Sequence, residues 1–178
     1  MFYLDLPENS TPTRKASTMK NDLAVAITLA RQCPGSAEGV HAIYSDLAGE
    51  IALQKPLCVM SGRCCHFETY GHRLYVTTLE LATFASANIS PIPNGFTGPG
   101  CPFQKNRLCT VHEARPFGCR IYFCDTTADA WQKSAYEQFH ARLKRLHDTL
   151  DIPYFYVEWR EGLKSLATVE SGENIPSD

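Results

Sequence analysis

The sequence predicts an α+β fold, a mainly helical single domain whose loop-rich, short-stranded cysteine region wraps around a metal site. Its 178 residues, 44% of them hydrophobic, are enough to bury one ordinary core. Helical periodicity marks the chain on both sides of residues 58–124. That middle segment is instead interrupted by Gly and Pro, and it holds seven of the eight cysteines.

The chain ends differ in composition from the rest. Residues 1–20 are polar, rich in Pro, Ser and Thr and without periodicity, which predicts a flexible tail. Residues 171–178 are assigned to a second flexible tail, so that one domain spans residues 21–170. Met19 competes with Met1 as the start of translation.

Two helices are predicted before the cysteine region. The first begins at Asn21 or Asp22 and ends near Pro34. The second runs from Ser36 to about Gln54, because apolar residues recur there at helical spacing. Both helices therefore have a face to bury.

Within the cysteine region, residues 72–76 have the composition of a strand. Thr77 or Thr78 then caps a helix that has Glu80 in its first turn and ends near Ala87. Residues 101–111 are typical of a hairpin with its tip at residues 104–107.

A long helix is predicted from Thr127 to about Leu150, and Pro153 ends it. Its buried stripe comprises Trp131, Ala135, Phe139, Leu143, Leu146 and Leu150. The aromatic run 154–159 that follows is expected to form a strand or packing segment lining the core, in preference to a cofactor site.

Charge and hydropathy exclude some classes of function. The formal net charge of −2 favours neither nucleic acid nor an anionic membrane as a partner. The apolar stretch 23–30 is too short to span a bilayer, and Asp22 and Arg31 bracket it too closely for a leader peptide. We therefore expect a cytoplasmic protein, in which dense cysteines indicate metal binding more often than disulfides.

The cysteine spacing argues against a simple zinc ribbon. Ribbons repeat Cys-x2-Cys, which lets two sulfurs meet one ion from a tight turn, and this chain contains no such pair. An irregular site that gathers sulfurs from three loops stays open, for zinc or for an iron–sulfur cluster.

The order of motifs is more informative. Cys58 is followed by Gly62 and the pair Cys64-Cys65. Further along lie Cys101-Pro102-Phe103, then Cys109 with His112-Glu113, and then Arg115-Pro116-Phe117-Gly118-Cys119-Arg120. This segment resembles the YkgJ-like cysteine-cluster proteins, a bacterial family of zinc- or iron-chelating domains. The resemblance implies a metal-binding core motif over residues 58–124.

One departure from the family pattern bears on the ligand set. The second cysteine of the family's first run is Ser61 here, and a neutral hydroxyl is a poor ligand for a thiophilic metal. Either Ser61 does not ligate, or Cys124 supplies the missing sulfur. His112, where the family has Tyr, is more plausibly an ordinary polar hairpin residue than a ligand.

The predicted site therefore consists of seven metal ligands and two supporting arginines. The ligands are Cys58, Cys64, Cys65, Cys101, Cys109, Cys119 and Cys124. Arg115 and Arg120 are expected to offset the negative charge of the metal–thiolate centre. Cys33 is expected to be a lone structural thiol.

So many sulfurs exceed the four that one zinc ion takes, which favours an iron–sulfur cluster, 4Fe–4S above others, over zinc. Two zinc ions that share sulfurs are the further option. The predicted function is metal binding for electron transfer or redox sensing, with a redox protein as partner. The alternatives are a metalloenzyme that uses the same centre and a structural zinc interaction module. His66, Glu68, His72 and His112 form no recognised catalytic motif.

Overall fold

Six α-helices and four short β-strands make up the part of the chain that the structure describes. The computed structural model describes residues 16–87, 89 and 96–171. In chain order the elements are α1 (Ala16–Gln32), α2 (Ser36–Gln54), β1 (Tyr75–Thr77), α3 (Thr78–Ser86), β2 (Gln104–Lys105), β3 (Leu108–Cys109), α4 (Phe117–Ile121), α5 (Asp129–Leu150), β4 (Tyr156–Glu158) and α6 (Trp159–Ser171). The fold is α+β and mainly helical, with few and short strands. None of the described helices is long and apolar enough to cross a bilayer.

The first two helices are joined by a short turn that contains Gly35. This glycine adopts a φ of +83°, which L-residues with a side chain rarely adopt, so the turn is compact. The predicted bounds of α2 are confirmed. Helix α1 begins earlier than predicted, at Ala16, so residues 16–20 are helical although they were predicted to lie in the N-terminal tail. Residues 1–15 and 172–178 of the two predicted tails lie outside the described residues.

Helix α3 is the central element. Every residue from Thr78 to Ala85 is buried, and the helix packs against α1, α2 and α6. A capping box begins it, as predicted: the Thr77 hydroxyl accepts a hydrogen bond from the Glu80 N–H, and the Glu80 carboxylate accepts one from the Thr77 N–H at 2.9 Å. A helix with no polar face is stable only between other elements.

The core consists of two clusters of buried side chains, one on each side of α3. One lies beneath the cysteine region, and Cys101 and Cys119 pack against it. Its large members are Ile27, Phe67, Leu81, Phe84, Phe103, Trp159, Leu163 and Leu166. The other joins α2, α3, α4 and α5 through Val40, Leu47, Leu79, Phe117, Phe139 and Leu143. The cysteine region therefore packs against a cluster of buried side chains that is rich in aromatic rings.

The C-terminal part of the chain returns to the centre of the fold. Strand β4 pairs antiparallel with β1, with Val157 opposite Val76, and the Trp159 N–H then donates to the Leu74 carbonyl at 2.8 Å. Trp159 begins α6 and is 1% exposed, which confirms a core role for this end of the aromatic run. Tyr154 and Tyr156 are only half-buried. Helix α6 itself was not predicted.

Candidate metal centre

Five cysteines from three separate segments share one neighbourhood in the structure. They are Cys64, Cys65, Cys101, Cys109 and Cys119, and we call them the five-cysteine cluster. The Cys65 thiol lies close to the sulfurs of Cys64, Cys101 and Cys109. The Cys119 sulfur interacts electrostatically with Cys101, Cys64 and Cys109. Sulfurs that are up to 55 positions apart in sequence (64 to 119) thus meet at one place.

The neighbouring pair Cys64-Cys65 contributes two sulfurs because its backbone is not extended. Residues Arg63–Cys65 form a 3-10 turn that begins after Gly62, and the Cys65 N–H donates to the Gly62 carbonyl at 3.1 Å. Gly62 has a φ of +74° there. Side chains that would point apart on a strand are brought within hydrogen-bonding reach of each other by the turn.

Gly100 brings the second segment against the first. The Cys101 N–H donates to the Cys65 carbonyl at 2.8 Å, and a Cβ atom on Gly100 would lie 2.5 Å from that same carbonyl oxygen. Gly100 also has a φ of +81°, and its N–H donates to the Glu68 carboxylate at 2.7 Å. Only glycine fits this contact, so Gly100 fixes the approach of Cys101 to Cys65.

The predicted hairpin is confirmed, and it positions Cys109. Its strands β2 and β3 pair Gln104 with Cys109, and its turn lies at Asn106 and Arg107. The Gln104 side-chain amide donates to the Gly62 carbonyl at 2.9 Å, and the Arg107 guanidinium donates to the Ser61 carbonyl at 3.3 Å. These two bonds join the hairpin to the loop that carries Cys64 and Cys65.

A buried carboxylate positions Cys119. The Glu80 carboxylate is 3% exposed and accepts hydrogen bonds from the Phe117 N–H at 2.7 Å, from the Tyr44 hydroxyl at 3.1 Å and from the Thr77 N–H. The Phe117 N–H is in the first turn of α4, two residues before Cys119. Burial raises the pKa of Glu80 and, well above its usual range, the pKa of Tyr44.

The five sulfurs differ in how readily they ionise. Interaction with the sulfurs of Cys101, Cys109 and Cys64 raises the pKa of Cys65. The same interactions lower the pKa of Cys64 to about 7 and that of Cys109 to about 6, and they lower the pKa of Cys101. Burial raises the pKa of Cys119 well above its usual range. Three of the five sulfurs are therefore disposed to become thiolates.

Nitrogen–hydrogen donors surround these sulfurs. Backbone N–H groups of Phe103 and Val111 interact with the sulfurs of Cys101 and Cys109. The Trp159 indole N–H also approaches the Cys101 sulfur. It is fully buried and has no hydrogen-bond partner of good geometry. A buried N–H costs about 1–3 kcal/mol when unsatisfied, so a charged sulfur acceptor beside it is stabilising.

A second buried polar atom without a hydrogen-bond partner belongs to His72, near Cys64. His72 stacks on Tyr122 with ring centroids 5.0 Å apart, and its Nε2 lies 3.5 Å from the Cys64 carbonyl oxygen. Its Nδ1 is buried without a hydrogen-bond partner. Trp159 Nε1 and His72 Nδ1, both buried without a hydrogen-bond partner, therefore belong to residues that contact the cysteine region.

The two predicted arginines differ in position. Arg115 lies beside the five-cysteine cluster and helps to lower the pKa of Cys64 and Cys109, while its own bonds go to the carbonyls of His112 and Cys119. Arg120 instead places its guanidinium 4.3 Å above the ring of Tyr44 and donates to the Arg115 carbonyl at 2.7 Å. Arg115 can offset thiolate charge directly, whereas Arg120 mainly holds the Arg115 backbone.

The other predicted ligands lie at the edge. Cys124 is half-buried, and its sulfur is 3.5 Å from the Ser61 hydroxyl oxygen. Cys58 is exposed on the loop after α2, and no contact within the described residues joins it to the other sulfurs. Cys33 lies apart, at the rim of an open depression of about 240 Å³ between the α1–α2 turn and α3. All eight cysteines are free thiols.

The histidines near the cysteines are otherwise occupied. His112 is 59% exposed and pairs with Glu113, in keeping with a polar surface residue. His66 is exposed and contacts Tyr70 edge-on. Within the described residues no group of three or more His, Cys, Asp or Glu side chains has the arrangement of a metal site. The clustered cysteines are free thiols, so metal ligation would require them to lose their protons.

The fold and the cluster together define a small, mainly helical protein with a polarised group of buried and half-buried thiols. Compared with family models, with curated proteins and with solved structures, the chain gives no match. Its chemistry is therefore argued from its own residues. Trp159, Glu80 and Gln104 were not assigned to the site from the sequence, since only the folded chain brings them to the cysteines.

Proposed function

We propose that this protein binds a metal through cysteine thiolates, as an iron–sulfur cluster in preference to zinc, and uses it for electron transfer or redox sensing. The observation that carries the proposal is the convergence of five sulfurs from three segments. A fold that gathers so many free thiols without forming a disulfide has a metal as its simplest occupant.

The residues around the sulfurs fit such a centre. Four thiolates around Zn²⁺ or a 4Fe–4S core of charge +2 leave a net charge of −2, which needs hydrogen bonds and cations when shielded from water. The N–H groups of Phe103 and Val111, the indole of Trp159 and the guanidinium of Arg115 are placed to supply them. Bound metal would supply a reversible electron acceptor if it is iron, and a structural link if it is zinc.

The arrangement of the sulfurs favours the iron–sulfur option. One zinc ion and one 4Fe–4S cluster each take four thiolates, but a cluster takes them more readily from scattered positions such as these three segments. N–H groups directed at sulfur are also a means by which proteins set the reduction potential of iron–sulfur centres. The proposed location stays the reducing cytoplasm, where free thiols persist.

We further propose that the chain is a YkgJ-like protein in which Cys124 takes the place of the cysteine replaced by Ser61. The distance of 3.5 Å between the Ser61 hydroxyl and the Cys124 sulfur supports this, because the two side chains occupy one location. In this arrangement the Cys124 sulfur would approach the metal from the side of Cys64, because Tyr122 lies near both cysteines.

An exchange of the two side chains tests this assignment. Cys124→Ser is expected to lower the metal content per chain, and adding Ser61→Cys to that variant is expected to restore it, since the sulfur returns to the same location. Elemental analysis of both variants and of the Cys33→Ser control measures the effect. Full metal content in Cys124→Ser alone would remove Cys124 from the ligand set.

Removal of the buried indole donor is expected to alter the electronic properties of the centre without emptying it. In Trp159→Phe the ring still fills the core, but the N–H beside the Cys101 sulfur is lost. We expect retained metal and a midpoint potential more negative by roughly 20–60 mV, from a hydrogen bond worth about 0.5–1.5 kcal/mol. Potentiometric titration measures this, with Trp131→Phe as control. An unchanged potential would mean that Trp159 only packs.

The proposed function itself is tested by anaerobic purification. We expect brown protein with a visible sulfur-to-iron charge-transfer band, iron and acid-labile sulfide. Colourless protein with stoichiometric zinc would overturn the iron–sulfur assignment and keep the thiolate site. Protein that takes up neither metal during expression or reconstitution would overturn the proposal.

A further inference from the structure

An exposed apolar strip lies beside the five-cysteine cluster. It comprises Leu57, Val59, Met60 and Leu108, whose side chains are 58–72% exposed. The first three belong to the loop after α2, and Leu108 belongs to the hairpin. The bonds from Gln104 to Gly62 and from Arg107 to Ser61 hold the hairpin against that loop. Single exposed apolar residues are common, but four of them on one loop and the hairpin bonded to it indicate an interaction surface.

The strip is held in position by the rest of the fold. The Leu57 N–H donates to the Asp125 carboxylate at 2.9 Å, and the other oxygen of that carboxylate accepts from the Thr127 N–H. Met60 and Arg107 have positive φ values of 47° and 65°. Such conformations cost free energy in non-glycine residues and persist only where surrounding contacts impose them.

Four basic residues flank the strip along the chain. Lys55 and Arg63 lie on either side of its loop residues, and Lys105 and Arg107 belong to the hairpin. All four are exposed, and none forms an ion pair with any residue that the structure describes. They outnumber the nearby acids Asp125, which accepts from backbone N–H groups, and Glu113, which contacts His112. This face is therefore locally basic in a chain whose formal net charge is −2.

We infer that this face docks an electron-carrier protein whose own contact surface is apolar at the centre and acidic at the rim. The inference rests on the proposed function, because it names the partner with which the thiolate centre would exchange electrons. An apolar patch within a charged rim is the usual anatomy of a transient interface, and electron-transfer encounters lie at the small end, below about 1,200 Å². Opposite charges accelerate such encounters.

The position of the strip suits this use. Exposed Cys58 lies between Leu57 and Val59, and Leu108 precedes Cys109, which is half-buried like Cys64. A carrier on the strip would therefore contact the two segments that carry Cys64 and Cys109. If an iron–sulfur cluster is bound, the carrier would give one electron to its oxidised form, with no bond formed or broken. A second copy of the chain is a poor occupant, because two basic rims would repel each other.

Titration calorimetry of the anaerobically purified full chain against three probes tests the inference. The probes are a plant-type [2Fe–2S] ferredoxin as the acidic carrier, a double-stranded DNA oligonucleotide, and vesicles of phosphatidylcholine with phosphatidylglycerol. We expect saturable binding of the ferredoxin alone, weakened about tenfold or more when salt is raised from roughly 0.02 to 0.5 M.

Two sets of variants locate the binding face. Lys105→Glu with Arg107→Glu should weaken ferredoxin binding about tenfold, and Val59→Ser with Leu108→Ser should weaken it while keeping its salt dependence. The control pair Arg31→Glu with Arg145→Glu makes the same change in net charge elsewhere and should leave binding unchanged. Circular dichroism of each variant reports its fold.

The outcomes separate this inference from the proposed function. No saturable ferredoxin binding, binding of DNA or vesicles in its place, or equal loss in the control pair overturns the docking face. Iron, sulfide and zinc analysis of the same sample reports on the centre. A sample that has the cluster but does not bind ferredoxin would support the proposed function and overturn the docking face. A sample that binds ferredoxin without a cluster would support the docking face and overturn the proposed function.

Discussion

Cys65→Ser is expected to release most of the bound metal and to destabilise the fold around it. Cys65 is 5% exposed, and its sulfur contacts the sulfurs of Cys64, Cys101 and Cys109, so it is central to the cluster. Binding free energy at a loop-built metal site is also folding free energy, and for structural zinc it amounts to about 10–16 kcal/mol. Total domain stability is commonly about 5–15 kcal/mol, so this loss would be large.

Metal content per chain and the thermal midpoint measure the effect. Cys33→Ser is the matched control, because Cys33 is a half-buried thiol at the α1–α2 turn, away from the cluster. A chelator should lower the midpoint of the wild type towards that of Cys65→Ser and should not change the variant further. Full metal and an unchanged midpoint in Cys65→Ser would show that the site lies elsewhere.

Glu80→Gln is expected to cost about 1–3 kcal/mol of stability. The two carboxylate oxygens accept from the Thr77 N–H, the Phe117 N–H and the Tyr44 hydroxyl. An amide has only one acceptor oxygen, so its NH₂ group would face a buried N–H without an acceptor. Because Phe117 begins the helix that carries Cys119, metal affinity should fall as well. Urea unfolding and competitive chelator titration measure both effects.

The same substitution has a consequence for pH dependence. Burial raises the pKa of Glu80 in the folded protein above its value of about 4.5 in the unfolded chain, so the folded state binds the proton more tightly. The stability from this difference is fully present below the unfolded pKa. It is lost as pH rises through the folded pKa of Glu80. Above about pH 4.5 the free energy of unfolding of the wild type should therefore fall as pH rises through the folded pKa of Glu80. In Glu80→Gln this part of the pH dependence should be absent.

Glu137→Gln on the exposed face of α5 is the control for Glu80→Gln. It should leave the free energy of unfolding unchanged, because its side chain is exposed. Equal stability of Glu80→Gln and the wild type across that pH range would mean that the buried carboxylate does not organise α2, α3 and α4 as inferred.

The helices were largely predictable because their signals are local. The apolar spacing of α2 and the Thr77–Glu80 capping box lie within a few residues of the elements they define. The spacing of apolar residues did not predict α6, because this helix directly follows an aromatic strand and begins at a residue buried in the core. The Glu158 carboxylate caps this helix by accepting from the N–H groups of Arg160 and Glu161, but Glu is not among the residues that usually mark a helix start.

The cysteine region was predictable in composition and much less in geometry. The sequence identifies which residues carry thiols, but a 3-10 turn at Arg63–Cys65 and a positive φ at Gly100 decide which sulfurs meet. Both features depend on contacts with distant residues, such as that of Gln104 with Gly62. The supporting donors are equally non-local, since Trp159 is 58 positions beyond Cys101.

X-ray absorption at the metal edge tests most directly the claim that the five-cysteine cluster binds a metal. In the anaerobically purified protein we predict a first coordination shell of sulfur, at about 2.3 Å if the metal is zinc. An iron–sulfur cluster would give sulfur neighbours together with a second shell of iron. A first shell of only oxygen and nitrogen, in a sample with stoichiometric metal, would contradict thiolate ligation by these cysteines.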